Sequence, residues 1–278
     1  MAMLDLDWFS AMRRAVEAHR ALFEAEPTIA GRTAYEGVGE GGDHALVLDR
    51  RCEDAVFVEL EKLHSDSGAD FVAVSEERGE VAFGDPSSPG RVVIDPIDGS
   101  LNVRRTLPSH SLSVAISSGP SMADVELGFV YEFGAAEEFT AKRGEGAWLG
   151  DRRLELEGPG YGLEVVGLES AEPARIAPVV GALAGSAYRV RVIGSIAITL
   201  AYVAAGRLDG MLSARPCRSV DAAAAQLLVS EAGGAVEFEG FDLGQADLGL
   251  DARYAVRAAR NAELLESVRA AQERSPDA

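Results

Sequence analysis

The 278-residue sequence predicts a layered α/β (α+β) chain in which helices and sheets stack in one compact body. Three observations carry that reading. The first third shows helical spacing of apolar residues. The middle third is a series of short β-rich runs broken by Gly, Pro or charged turns. After about residue 155 strand candidates alternate with helices that stop at glycine. The change of style near that point sets a soft division, with residues 1–155 as an N-terminal half and 156–278 as a C-terminal half.

The elements follow in order. Phe9, Met12, Val16 and Phe23 recur at helical spacing, so residues 4–24 read as an amphipathic first helix. The glycine loop "YEGVGEGGD" comes next, and a second helix spans about Asp49 to Leu63 with Val56 and Leu60 on one face. "FVAVS", "RVVID", "SLSVAIS", "VELGFVYEF" and "EEFTAK" read as strands, and "KRGEGAWLGDRRLEL" as a hairpin with glycine turns. Beyond residue 155, "LEVVGL", "YRVRVI", "DGMLSA", "AVEFE" and "YAVRAA" are further strands. A helix over Ser195–Ala205 ends at Gly206, another following Asp221 ends at Gly233, and a last one covers about Ala262–Glu273.

Composition narrows the function. A hydrophobic content of 47% and 6% aromatics describe an ordinary globular chain able to bury a core. No apolar run reaches the roughly 20 residues of a membrane span. The start, "MAMLDLDWFSAMRR", shows no basic segment followed by an apolar one, and Cys52 and Cys217 match neither a disulfide framework nor a metal-ligand spacing, so a cytoplasmic location is expected. A net charge of −19 repels phosphate backbones and anionic lipid, which argues against nucleic-acid and membrane partners. Lys62 and Lys142 are the only lysines. A high-salt cytosol and codon bias in a GC-rich genome both account for that balance.

The chemistry-bearing stretch is "VVIDPIDGSLN". Its apolar run is a buried strand that Pro96 stops, after which Asp95 and Asp98 sit in one tight turn. Gly99 and Ser100 then open a helical turn whose free N–H groups suit an anion. Two oxygen-donor acids beside a phosphate cradle fit a hard divalent cation, although a Pro-Asp-Gly type turn satisfied by its own aspartates reads equally well from this segment alone. "FVAVSEERGE" supplies Glu76 and Glu77 at another strand exit. "CRSVDAAAAQLLVSEAGG" places Asp221, and "GGDHALVLDRRCED" places Asp49, at helix starts where a capping role is the plain alternative. Asp43 lies in the glycine loop. The same arrangement thus recurs four times, at the positions where open sheets bind ligands.

"VSEE", "VVIDPIDGSLN" and "SVDAAAAQLLVSEAGG", in this order and at these separations, resemble the inositol monophosphatase superfamily of magnesium-dependent, lithium-sensitive sugar phosphatases. The likeness runs on through "GFVYEFGAAEEFTAKRGEGAWLG" and "RVRVIGSIAITLAYVAAGRLDG" and is closest to the archaeal-type dual-specificity fructose-1,6-bisphosphatase/inositol monophosphatase branch. It implies the sugar-phosphatase fold with αβαβα layers and a homodimer. It implies Glu76, Asp95, Asp98 and Asp221 as side-chain ligands of two or three Mg²⁺, with the Ile97 carbonyl facing a metal and Asp43 helping to hold a weaker one. Gly99 and Ser100 would contact phosphate, Asp49 paired with Ser100 would orient the attacking water, and Glu76 would serve the catalytic cluster. Gly194 and Ser195 would face the sugar. The implied reaction is phosphomonoester hydrolysis, most simply fructose-1,6-bisphosphate to fructose-6-phosphate in gluconeogenesis, with inositol 1-phosphate as the alternative and a non-catalytic sugar-phosphate-binding protein as a third reading.

Two departures from the family pattern bear on substrate: Val220 stands where many relatives have Trp, and "DAAAA" follows where glycine is usual. A remote phosphate needs a cation, and among Arg104, Arg105, Arg189, Arg191, Arg215 and Arg218 the first choices are Arg191 and Arg215. Gly37–Gly42 satisfies G-x-G-x-x-G but neither follows a buried strand nor opens a helix directly, so it is not a dinucleotide loop. His110 and His44 are read as local structural residues ahead of general acids.

Overall fold

A computed structural model describes residues 3–38, 44–156, 162–170 and 172–274. Seven helices lie among these residues: α1 (Trp8–Ala25), α2 (Val47–Ser67), α3 (Ser100–Arg104), α4 (Pro173–Leu183), α5 (Ile196–Ala204), α6 (Ser219–Glu231) and α7 (Ala262–Glu273). They sandwich two main sheets. The larger sheet has eight strands drawn from Phe71–Ser75 through Arg152–Leu154, and the smaller has five, from Leu163–Glu169 through Val256–Ala259.

The layers run as the resemblance implies. Helices α1 and α2 cover one face of the large sheet, α5 and α6 fill the space between the sheets, and α4 with α7 cover the outer face of the small one. The middle layer is the apolar heart. α6 is alanine-rich, and Ala222, Ala223, Ala224 and Ala225 are all buried against strands on one side and α5 on the other. Small side chains let the helix lie close: a Cβ at Gly128 would come within 2.5 Å of the Ala224 carbonyl. A helix apolar all round belongs in such an interior.

In the large sheet, Phe71–Ser75 runs parallel to Arg91–Asp98, with Ser75 opposite Ile94. Their C-terminal ends therefore lie side by side, and Glu76 leaves the sheet next to Asp95. The remaining strands, from Arg91 to Leu154, pair antiparallel with their sequence neighbours. The hairpin anticipated in "KRGEGAWLGDRRLEL" forms between Gly146–Leu149 and Arg152–Leu154.

Several elements had no sequence counterpart: the short antiparallel pair Tyr35–Val38 and His44–Leu46, where only a glycine loop was expected, the two-residue strand Cys217–Arg218, the edge strand Gly79–Phe83 and helix α4. Gly79–Phe83 pairs antiparallel with Phe71–Ser75 at the sheet edge, and its alternation of exposed and buried residues is too short to stand out. Helix α4 contains both Pro173 and Pro178. Proline in the first turn loses no helical hydrogen bond, and burial of Val179 and Leu183 holds the helix past Pro178. Helix α2 also begins earlier than Asp49, at Val47, so Asp49 sits inside its first turn.

Candidate active site

Asp95 and Asp98 are three residues apart, a spacing that sends side chains to opposite faces of a regular strand. The strand is not regular there. Asp95 pairs with Ser113 and Asp98 with Ser111, and the extra residue between them forms a bulge at Pro96–Ile97. The bulge turns both carboxylates toward one cavity of about 360 Å³, which is also lined by Asp49, Glu76, Glu77, Ile97, Gly99, Ser100 and Asp221. Glu76, Asp95, Asp98, Asp221, Asp49 and Ser100, expected from dispersed motifs, are therefore neighbours. Asp43 lies outside the described residues.

The turn is locked from several sides. Ile97 N–H donates to Asp95 Oδ1 at 3.0 Å, and the Ser100 hydroxyl donates to the Ile97 carbonyl at 3.0 Å. Gly99 has φ of +98°, and a Cβ there would meet the Ser109 carbonyl at 3.0 Å, so glycine is required both by conformation and by space. Asn102 Nδ2 donates to the Ser109 carbonyl at 2.6 Å and to the Ile193 carbonyl at 2.9 Å, tying the acid turn to the loop ahead of α5. His19, buried in α1, bonds the Pro96 carbonyl through Nε2 at 3.2 Å.

Three helix N-termini face the cluster. Asp98 Oδ2 accepts from Ala197 N–H at 2.6 Å and from the Ser195 hydroxyl at 2.5 Å, so this acid caps α5. Asp221, in the first turn of α6, accepts from Arg218 N–H at 2.9 Å. Asp49 occupies the first turn of α2, where Leu46 N–H serves it and the Ser100 hydroxyl lies beside it. The positive ends of these helices offset part of the repulsion among the acids.

They do not offset all of it. Burial pushes Asp95 well above the usual carboxylate range, and Glu76, Asp98 and Asp221 push it further. Burial likewise raises Asp98 against the pull of its Ser195 and Ala197 donors, and raises Asp221 with Asp98 beside it. Asp49 is pushed up to about 8 by burial, then by Glu76 and Glu77. Glu77 rises to about 7 by burial and the Glu76 charge. Asp49 Oδ1 and Glu77 Oε2 are buried with no hydrogen-bond donor. Such a set of all-oxygen donors, short of positive charge, suits a hard divalent cation better than zinc, which favours nitrogen and sulfur.

A second cavity of about 970 Å³ opens beside the first and shares Asp98, Leu101, Arg215, Arg218 and Asp221 with it. Gly194 and Ser195 lie on its wall. Ser195 is only 1% exposed and gives its hydroxyl to Asp98, so it positions the acid and caps α5 in the same stroke. Arg215 lines both cavities, with Nη1 3.1 Å from Glu172. Arg191 lines neither. It sits on Ala187–Arg191, the edge strand of the small sheet, and its exposed side chain turns back on the Val190 carbonyl. Arg189 stacks over Tyr188 on the same edge.

A scan against family models matches residues 8–274 to the inositol monophosphatase family. The chain belongs to this family. Curated relatives include the fructose-1,6-bisphosphatase/inositol-1-monophosphatase of Thermococcus kodakarensis, 33% identical over 98% of this chain and 100% of that protein. The protein of the same name from Methanothermobacter thermautotrophicus is 30% identical over 93% of each. Among solved structures, an inositol monophosphatase–fructose 1,6-bisphosphatase superposes with a TM-score of 0.81 at 26% identity, covering 95% of this chain and 98% of that one. The inositol monophosphatase family member described here is thus a phosphatase, a phosphoric monoester hydrolase, and its family is generally Mg²⁺-dependent.

The donor set fits that ion, but as it stands each acid already holds a protein donor. Among the described residues no group of three or more His, Cys, Asp or Glu side chains is gathered closely enough to hold one ion. Asp98 is held by Ser195 and Ala197, Asp221 by Arg218 N–H, and Glu76 by the Arg218 guanidinium at 2.5 Å. Ligation therefore needs these carboxylates to exchange a protein donor for the ion.

Sequence reasoning passed over several supports. Glu169, 1% exposed, accepts from Ile193 N–H at 3.1 Å, Gly194 N–H at 3.0 Å and the Thr199 hydroxyl at 2.6 Å, which sets the loop before α5. Glu53 accepts from Ser75 and from the Arg78 N–H at 3.1 Å, which shapes the Glu76–Glu77 exit. Arg253 shares the wall of the larger cavity. His110 packs against Phe23 and Phe133, and burial drops it to about 4, so its ring is a neutral packing element.

Proposed function

We propose that this phosphatase hydrolyses the 1-phosphate of fructose-1,6-bisphosphate. The observation that carries the reading is the pair of adjoining cavities, one acidic and one rimmed by Arg215, Arg218 and Arg253. A cavity of about 970 Å³ suits a sugar carrying a second phosphate, and arginine is the natural donor to it. The relatives matching nearly end to end carry fructose-1,6-bisphosphatase in their names. Inositol 1-phosphate is the second reading. It is favoured by the Arg215–Glu172 ion pair, which takes up part of the charge a remote phosphate would use.

Glu76, Asp95, Asp98 and Asp221, with the Ile97 carbonyl, would hold two or three Mg²⁺, and Asp43 would add to that set. When bound, such ions neutralise the phosphate and lower the pKa of water toward neutrality. The chain's own residues do the rest. Gly99 and Ser100 present the turn to the phosphate, and Ser100 and Asp49 orient water for in-line attack. Gly194 and Ser195 fix the floor beneath the sugar, and Arg215 meets the far phosphate. The same reading places the enzyme in the cytoplasm as a homodimer.

Phosphate release from fructose-1,6-bisphosphate, inositol 1-phosphate and 3′-phosphoadenosine-5′-phosphate, with Mg²⁺ titrated, tests this order. The bisphosphate should give the highest kcat/KM. A preference for the inositol ester or the nucleotide overturns the substrate assignment.

A further inference from the structure

Arg218 rims the larger cavity and yet faces the acid cluster as well. It precedes Asp221 at the start of α6, and its backbone N–H serves that acid at 2.9 Å. Its side chain does something different. The guanidinium Nη1 lies 2.5 Å from Glu76 Oε1, with the two side chains only 14% and 19% exposed. Arg218 also lines both cavities, so it forms part of the wall between the acidic site and the larger arginine-rimmed space.

A divalent cation ligated at about 2.1 Å by the Glu76 oxygen that the guanidinium holds at 2.5 Å would stand only about 4 Å from that second positive charge, so the two repel and compete for the carboxylate. We infer that Arg218 is a built-in counter-ion of Glu76 that a divalent cation must displace, and that the displaced guanidinium turns into the adjoining cavity, where it binds the substrate's phosphate. The inference rests on the phosphatase reading, since it needs Glu76 to be a metal ligand.

The geometry gives the exchange a direction. On the Glu76 side the guanidinium neutralises one of several acids crowded together. On the other side it joins Arg215 and Arg253 on a wall that also carries Asp98, Glu169, Glu172 and Asp221, and a bound phosphate gives the guanidinium the partner it has lost at Glu76. Metal and phosphate therefore help each other through one side chain: the ion frees the arginine, and the phosphate keeps it away from Glu76. An arginine that merely braced the site would have no such two-sided effect.

The test is equilibrium binding of Mn²⁺ by titration calorimetry, followed by binding of inorganic phosphate at saturating Mn²⁺, to wild type, Arg218→Gln and Arg218→Lys. Removing the charge should tighten Mn²⁺ binding by about tenfold, since a largely shielded charge-assisted pair no longer competes. The same change should weaken phosphate by about tenfold. Lysine keeps the charge, so Arg218→Lys should bind Mn²⁺ within about twofold of wild type. It also guards against misreading a folding defect in the glutamine variant. Equal or weaker Mn²⁺ binding by Arg218→Gln overturns the inference, as does an equal gain in Arg218→Lys. Unchanged phosphate affinity overturns the movement into the second cavity. Failure of all three proteins to bind Mn²⁺ would instead strike at the metal site itself and take the inference with it.

Discussion

Glu169 offers a quantitative check on how the loop before α5 is held. Its carboxyl is buried at the end of the strand Leu163–Glu169, and burial raises it from 4.5 to about 7 even though Thr199, Ile193 and Gly194 all donate to it. A raised folded-state value means that its contribution to stability is complete below the unfolded pKa and is lost as pH climbs through about 7. A shift of this size corresponds to about 3 kcal/mol. Glu169→Gln carries no such proton. In the acid range the variant should be less stable than wild type by about 1–2 kcal/mol, because the amide N–H faces a backbone N–H. Near pH 8 the order should close or reverse, since only wild type must hold a buried charge. Urea unfolding at about pH 5 and at about pH 8 reads this as wild type losing about 2–3 kcal/mol more than the variant between the two. Parallel stability curves for the two proteins would refute the reasoning.

Other consequences are simpler to measure. Asp98→Asn should lower turnover by about a hundred- to a thousandfold while leaving the far-UV circular dichroism intact, since the amide oxygen still accepts from Ala197. Asn102→Ala strips the Ser109 and Ile193 carbonyls of their donor and should cost about 1–3 kcal/mol, seen as a lower melting temperature together with a raised KM. Millimolar Mg²⁺ should raise the melting temperature more at about pH 8 than at about pH 5. Burial and mutual repulsion keep Asp95, Asp98 and Asp221 protonated toward lower pH, and a proton then competes with the ion. Differential scanning calorimetry at the two pH values checks this, and an equal shift would contradict it.

Much of this site was legible in the sequence because its acids sit at punctuation marks. Pro96 ends a strand, Gly99 permits a left-handed turn, and Asp49 and Asp221 lie in first helical turns. These are local signals, and family resemblance joined them into one set. What joins them in space is not local. The parallel pairing of Ser75 with Ile94 sets Glu76 beside Asp95, and the bulge at Pro96–Ile97 reverses the face of Asp98; neither is written in either segment alone.

The supporting residues were illegible for the same reason. Glu169 ends an ordinary strand and looks like a solvated acid until Ile193 and Gly194 come to rest on it. His19 reads as a polar residue in an amphipathic helix, yet it is buried against the Pro96 carbonyl. Arg191 lies on the edge strand Ala187–Arg191 and lines neither cavity, and whether "YRVRVI" runs centrally or at an edge is not written in the segment itself. Helix α4 was hidden by Pro178, since a proline inside a helical pattern normally marks its end.

The central claim is that Glu76, Asp95, Asp98 and Asp221 ligate divalent cations at a shared site. Anomalous diffraction from crystals grown with Mn²⁺ tests it most directly. The account predicts strong peaks about 2.0–2.2 Å from these carboxylates and the Ile97 carbonyl, with Arg218 moved off Glu76. A map with no peak in this cavity, and the Arg218–Glu76 pair undisturbed at saturating Mn²⁺, would contradict it.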